Sequence, residues 1–159
     1  MKARPPTYIV ALDPAKRRCG VAVLNTTEGE GVLEYALTLR SGDTLSTSRK
    51  VARLIGGLGG KVNLIAEWPV DYASGRSKHK DLVSLRLMVG HVERLTGLKA
   101  SRVKPFGWKG NLPKAVCERR IEARLTIPER LAMTDTTNDT WDAVGIALWY
   151  SGRCARGVR

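Results

Sequence analysis

Histidine is nearly absent from this chain of 159 residues: His79 and His91 are all it holds. Catalysis resting on an imidazole base is therefore not expected. Cysteine is scarce as well. Cys19, Cys117 and Cys154 lie far apart, odd in number and without a C-x-x-C spacing, so neither a zinc site nor a disulfide framework is indicated. There is no run of about 18 apolar residues, and no membrane-spanning helix is expected. The opening MKARPP is basic but lacks the apolar core of a signal peptide, which points to a cytoplasmic protein. Acids are outnumbered: Asp plus Glu total 15 against 27 Lys plus Arg, a formal net charge of +12. The excess is scattered, not gathered in a tail, so it decorates a folded surface. Its natural partner is a polyanion, nucleic acid ahead of acidic membrane.

What is present is organised around Thr7–Asn25, TYIVALDPAKRRCGVAVLN. Tyr8-Ile9-Val10-Ala11-Leu12 is a continuous apolar run, the composition of a strand buried on both faces. It ends in Asp13 and Pro14, and a proline, having no N–H for a ladder, suits the end of a strand. After the basic turn Lys16-Arg17-Arg18 and Gly20, the run Val21–Leu24 returns as an antiparallel partner. Val32–Arg40 alternates Leu33, Tyr35, Leu37 and Leu39 at period two and reads as an edge strand. Thr44–Leu58 has helical spacing. Val62–Glu67 is a fourth strand that, after this crossover, runs parallel to the first. It too closes on an acid, Glu67, followed by Trp68 and Pro69. Parallel neighbours end on one rim, so Asp13 and Glu67 are expected to face each other there. Each alone is also what an ordinary polar strand end carries.

Asp71–Lys80 is a polar loop holding Arg76 and Lys78. Asp81–Leu95 reads as a helix with a broad apolar stripe, in which Gly90 suggests a close neighbour, a second subunit among the candidates. Lys99–Lys104 is a fifth short strand. Pro105–Lys114 reads as a loop. Here Lys104, Lys109 and Lys114 are interleaved with Phe106 and Trp108, a mixture suited to neutralising a nucleic-acid backbone and stacking bases. A helix from Pro113 to about Leu125, a connector over Thr126–Thr137 and a last helix capped by Asn138 complete the chain. Residues 1–6 and 152–159 are expected to be the mobile ends of one domain spanning 1–159.

Asp139 and Asp142 stand at i and i+3 and share a helix face. Acids in a first turn favourably oppose the macrodipole and need no other role. Asp142, however, shares its stripe with Ile146 and Trp149, which turns the pair toward the protein, where a cation partner is needed. Gly145 is expected to let this helix sit close to the sheet. Four carboxylates can then converge: Asp13, Glu67, Asp139 and Asp142. Oxygen-only ligands select Mg²⁺ or Mn²⁺ over Zn²⁺. Four acids can hold two such ions about 3.5–4 Å apart, the arrangement of in-line phosphoryl displacement.

LDPAKRRCG, the strand-end acid in IAEWP, and DTWDAVGIAL together resemble the RuvC-type Holliday junction resolvases of the ribonuclease H-like superfamily. The three blocks stand in the same order over nearly the whole chain. The resemblance implies an α/β, ribonuclease H-like fold: a five-stranded mixed sheet, three antiparallel strands then two parallel, flanked by helices. It implies a homodimer that nicks opposite strands of four-way DNA with Mg²⁺ or Mn²⁺. It assigns Asp13, Glu67, Asp139 and Asp142 as catalytic metal ligands and matches Lys104 and Lys114 to DNA-binding lysines. Ala15 replaces the glycine usual after Asp-Pro, and Asp139 stands where some members have histidine. Val70 falls where some members insert an aromatic at the junction centre, with Tyr72 a nearby substitute. The small size and loose match resemble a phage-borne member, which would work in host cytoplasm. Two other readings stay open. One is a less selective nuclease of this fold acting on flaps, forks or hybrids. The other is a YqgF-like or non-catalytic nucleic-acid-binding protein. Glu67-Trp68-Pro69 and the paired late acids favour the resolvase.

Overall fold

The computed structural model describes residues 5–70 and 79–154. Alternation sorts its first strand, β1 (Thr7–Pro14). Tyr8, Val10 and Leu12 enter one apolar cluster, while Ile9 and Ala11 enter a second on the opposite face. A strand needs apolar residues at both parities only where helices cover both faces. β1 is accordingly central. β2 (Arg18–Asn25) pairs with it antiparallel, and β3 (Val32–Arg40) pairs antiparallel with β2. On the other side β4 (Lys61–Glu67) and β5 (Ser101–Val103) run parallel. The sheet order is β3-β2-β1-β4-β5, the five-stranded mixed sheet expected from the sequence.

One face is covered by α1 (Thr44–Gly56) and α2 (His79–Thr96). Asp43 starts α1, its carboxylate accepting from the Ser46 N–H at 2.8 Å. Val51 and Ile55 of α1 and Met88, Val89 and Val92 of α2 pack with Val10, Leu12 and Val21. The other face is covered by α3 (Pro105–Lys109), α4 (Lys114–Glu122) and α6 (Asn138–Tyr150), while α5 (Ile127–Leu131) lies against β3. Ala143, Ile146 and Ala147 of α6 lie in one cluster with Ile9, Ala11 and Ala22. The small side chains of Ala143 and Ala147 let α6 approach the sheet closely. Among the described residues no helix is long and apolar enough to cross a membrane.

Several expectations need correction. Pro105–Lys114 is not a loop throughout, because Pro105 opens the short helix α3 and Gly110 ends it at φ +60°. The connector contains α5, set by a capping box in which Thr126 and Glu129 each bond the other's backbone N–H. Its exit pairs with β3 through Ala36 and Met133. Thr137, not Asn138, caps α6. Residue 6 is no loose arm, since its carbonyl accepts from Lys61 N at 2.9 Å. Nor are residues 152–154 loose. Arg153 bonds the carboxylate of Glu129, which is 2% exposed, and Cys154 is buried.

Candidate active site

The site follows from parity. Ile9 and Ala11 face α6, so Asp13, two further along β1, belongs to that face as well. Ile65 faces α6 on β4, and Glu67 follows it at the same parity. The last β1–β4 pair is Leu12 with Ala66, so the two acids are the next neighbours across the ladder. α6 brings the remaining two. Its approach is set by Gly20, the cross-strand partner of Asp13. A Cβ at Gly20 would lie 1.9 Å from the Asp139 carbonyl oxygen, a space only glycine leaves. Gly145 has a different task from the one expected. Its missing side chain admits Trp108, whose Cζ3 is 2.3 Å from where a Cβ would be. The glycine that seats α6 on the sheet is in the strand, not in the helix.

A polar bolt fixes the first turn of α6. The Asp135 carboxylate accepts from Thr38 N on β3 at 2.6 Å and from Thr137 N at 3.2 Å, and it also bonds the Thr140 hydroxyl. Thr38 Oγ1 lies 2.8 Å from Thr140 Oγ1. Burial of the Asp135 carboxyl is outweighed by these bonds, which hold it below the usual carboxylate range.

Three of the four acids have protein partners. Trp108 Nε1 donates to Glu67 Oε2 at 2.7 Å, and Lys109 Nζ donates to Asp142 Oδ2 at 2.8 Å while standing 3.8 Å from Glu67. Arg18 binds Asp139. Asp13, part-buried, has no hydrogen bond to its carboxylate among the described residues. Burial, then the charges of Glu67, Asp142 and Asp139, push its carboxyl well above the ordinary value, with Lys109 opposing. Glu67 is raised as well, chiefly by burial, against the pull of Lys109 and Trp108. Burial alone would depress the Lys109 ammonium; Glu67 and Asp142 together raise it. The site therefore holds four carboxylates and two cations at the end of β1 and β4.

Such a set fits a hard divalent ion in its chemistry: oxygen donors only, and a surplus of negative charge centred on Asp13. As the side chains stand, no three acids among the described residues close around one ion. Arg18 and Lys109 pair with three of the carboxylates. Cys19 is fully buried, and burial, then Asp13 and Asp139, raise its thiol well above the ordinary range, so thiolate chemistry has no place here.

The other sequence candidates fall differently. Lys104 and Lys114 are exposed at the starts of α3 and α4. Trp108 is 0% exposed and is no stacking surface; Phe106, 57% exposed, is the outward aromatic. Lys109 is committed to Glu67 and Asp142 and does not reach outward as a surface DNA contact would. Tyr72, Arg76 and Lys78 lie outside the described residues. The sequence reading does not anticipate Arg18, Asp135 or the bond from Trp108. The signal the sequence offers for a polar anchor before α6 is the threonine-rich DTTNDT stretch.

No family model matches the chain, and no curated protein matches its sequence. Solved structures do match. The Thermus thermophilus RuvC structure superposes at a TM-score of 0.65 and 13% identity over 92% of this chain and 95% of that one. T. thermophilus RuvC in complex with a Holliday junction substrate superposes at 0.57 and 12% identity, over 96% and 97%. The chain thus shares the fold of T. thermophilus RuvC along nearly its whole length.

Proposed function

We propose that this protein is a divalent-metal-dependent endonuclease that cuts four-way DNA junctions by hydrolysing phosphodiester bonds. One observation carries the reading: Asp13, Glu67, Asp139 and Asp142, drawn from β1, β4 and α6, influence one another at a single end of the sheet in a protein of net charge +12. Positive surface attracts the backbone, and a pocket of acids inside it is otherwise repelled by that backbone. The combination makes sense if Mg²⁺ or Mn²⁺ mediates between them. Bound there, such ions would supply an activated water and neutralise charge on the leaving oxygen.

The chain's own residues have separable tasks. Asp13, Glu67, Asp139 and Asp142 are the candidate ligands. Trp108 fixes the Glu67 carboxylate by its Nε1 bond, and Gly20 fixes how near Asp139 comes to Asp13. Lys109 and Arg18 pair with three of these carboxylates and offset part of their charge. Lys104 and Lys114 are exposed and free to meet DNA phosphate.

Paired nicks need two such sites, and we propose a homodimer through α2. Val83, Leu87 and Leu95 are 40%, 52% and 48% exposed on it, and among the described residues no other part of the fold comes within 4 Å of where a Gly90 Cβ would be. Leu87→Lys should convert a dimeric protein to monomer in sedimentation. A parental protein that sediments as a monomer throughout the micromolar range would remove the dimer.

The decisive experiment incubates an immobile four-way junction with the protein, with and without Mg²⁺ or Mn²⁺. Asp13→Asn and Glu67→Gln should abolish cleavage yet keep junction binding, because they remove ligand charge and leave the basic surface intact. A fully active Asp13→Asn protein refutes the assignment.

A further inference from the structure

A basic trough leads up to the acids. The turn between β1 and β2 carries Lys16 and Arg17, β2 opens on Arg18, and β3 ends beside them, with Arg40 the cross-strand partner of Arg18. Ser41 N donates to the Arg17 carbonyl at 3.1 Å, and the Thr47 hydroxyl donates to the same carbonyl at 3.1 Å, so turn, strand end and α1 are tied together. Between them lies a cavity of about 550 Å³ walled by Ala15, Lys16, Arg17, Arg18, Arg40 and Ser41. Among the described residues no carboxylate is in its walls. A second cavity of about 310 Å³ shares Arg18 and Arg40 and continues to Thr136–Asp139 at the first turn of α6.

The cations of this trough are unequally satisfied. Lys16 pairs with Asp81 at 3.2 Å, and Arg18 pairs with Asp139. Among the described residues Arg17 and Arg40 have no ion-pair partner, and both are exposed. Two open guanidiniums held beside two paired cations repel one another unless an anion enters. Guanidinium forks match phosphate oxygens in geometry as well as charge. Arg18 belongs both to the trough and to the acid cluster, so the distance from one to the other is fixed by the protein itself.

We propose that this trough is a phosphodiester subsite: Arg17 and Arg40 grip the backbone of the strand being cut, next to the scissile phosphate, and Arg18 sets its register. This rests on the nuclease reading above. It names the residues that position the substrate strand, which the acids cannot do because they repel it.

The test is binding of a four-way junction in EDTA, by fluorescence anisotropy, across salt from ~50 to ~200 mM. The double variant R17Q/R40Q is compared with R49Q/R53Q, which removes the same charge from the exposed side of α1. Each lost phosphate contact lowers the log–log salt slope by about 0.9, so R17Q/R40Q should lose about 2 and the α1 variant almost nothing. In the parental protein a single uncharged methylphosphonate beside the cut position should weaken binding. In R17Q/R40Q it should have no further effect. Equal slopes for parent and R17Q/R40Q, equal losses in both variants, or additive methylphosphonate effects would overturn the proposal. A selective slope loss in R17Q/R40Q, when the parental protein cleaves no branched DNA, keeps the trough and removes the nuclease. Cleavage with an unchanged slope does the reverse.

Discussion

Replacing Gly20 by alanine tests how the acids are brought together. Gly20 sits opposite Asp13 in the ladder and beneath the first turn of α6. The added Cβ would be 1.9 Å from the Asp139 oxygen and 2.4 Å from its carbonyl carbon, where ordinary contact starts at 3.4 Å. The shortfall to the oxygen, 3.4 minus 1.9, is 1.5 Å, and it falls on backbone, which has no rotamer to escape into. The first turn of α6 must therefore lift, against the Asp135–threonine bolt that ties it to β3. Overpacking of this kind costs about 1–3 kcal/mol. A misplacement of about 1 Å among reacting groups costs about 10²-fold in rate. Gly20→Ala should fold, melt at lower urea, bind the junction in EDTA nearly as well as the parent, and cleave it at least about 10²-fold more slowly. The assay is single-turnover junction cleavage, run beside urea melts and metal-free anisotropy. An alanine variant with the parental midpoint and the parental rate would refute the close approach and the geometry built on it.

Other outcomes follow from single contacts. Trp108→Phe keeps most of the buried ring and removes the Nε1 donor to Glu67. It should cost about 1 kcal/mol in urea melts and slow cleavage without weakening junction binding, and an unchanged rate would show that the bond does not orient Glu67. Asp13→Asn should melt higher than the parent in EDTA at neutral pH. Its carboxyl is raised in the fold, so the ionised form weakens folding as pH climbs past the ordinary carboxylate range, and the amide escapes this; a lower midpoint would contradict it. Glu129→Gln should cost about 3 kcal/mol, as loss of one partner from a buried pair does. The Glu129 carboxyl is buried, but bonds from Arg153, Leu33 and Thr126 hold it at about 2 against an ordinary 4.5. Its contribution is complete above 4.5 and fades as pH falls toward 2, so parent and variant should converge in that window. A gap that stays constant to pH 2 would exclude this account.

Much of the sheet is legible in the chain because β1 carries apolar residues at both parities and β3 alternates, and those patterns have few other solutions. The rim acids are legible for the same reason, since each closes an apolar run. Parity, taken one step further, also decides their face. α5 has a local signal as well: Thr126 and Glu129 have the spacing of a capping box, with Pro128 between them. The burial of Trp108 is not legible, because composition alone does not tell a stacking aromatic from a core one. What decides its burial is Gly145, far along the chain, and Ile121 beside it. Arg18 on Asp139 was not legible at all, for nothing local links a turn residue to a helix so distant in sequence.

The seating of α6 has a consequence for motion. Asp13 and Glu67 are neighbours by virtue of the ladder alone, whereas Asp139 and Asp142 arrive only when α6 docks. Any excursion that lifts the helix while sparing the strands would part the two pairs of acids without unfolding the domain. Amide exchange along the first turn of α6 that is faster than that of Val10 and Val23 would report how often the four carboxylates stand apart.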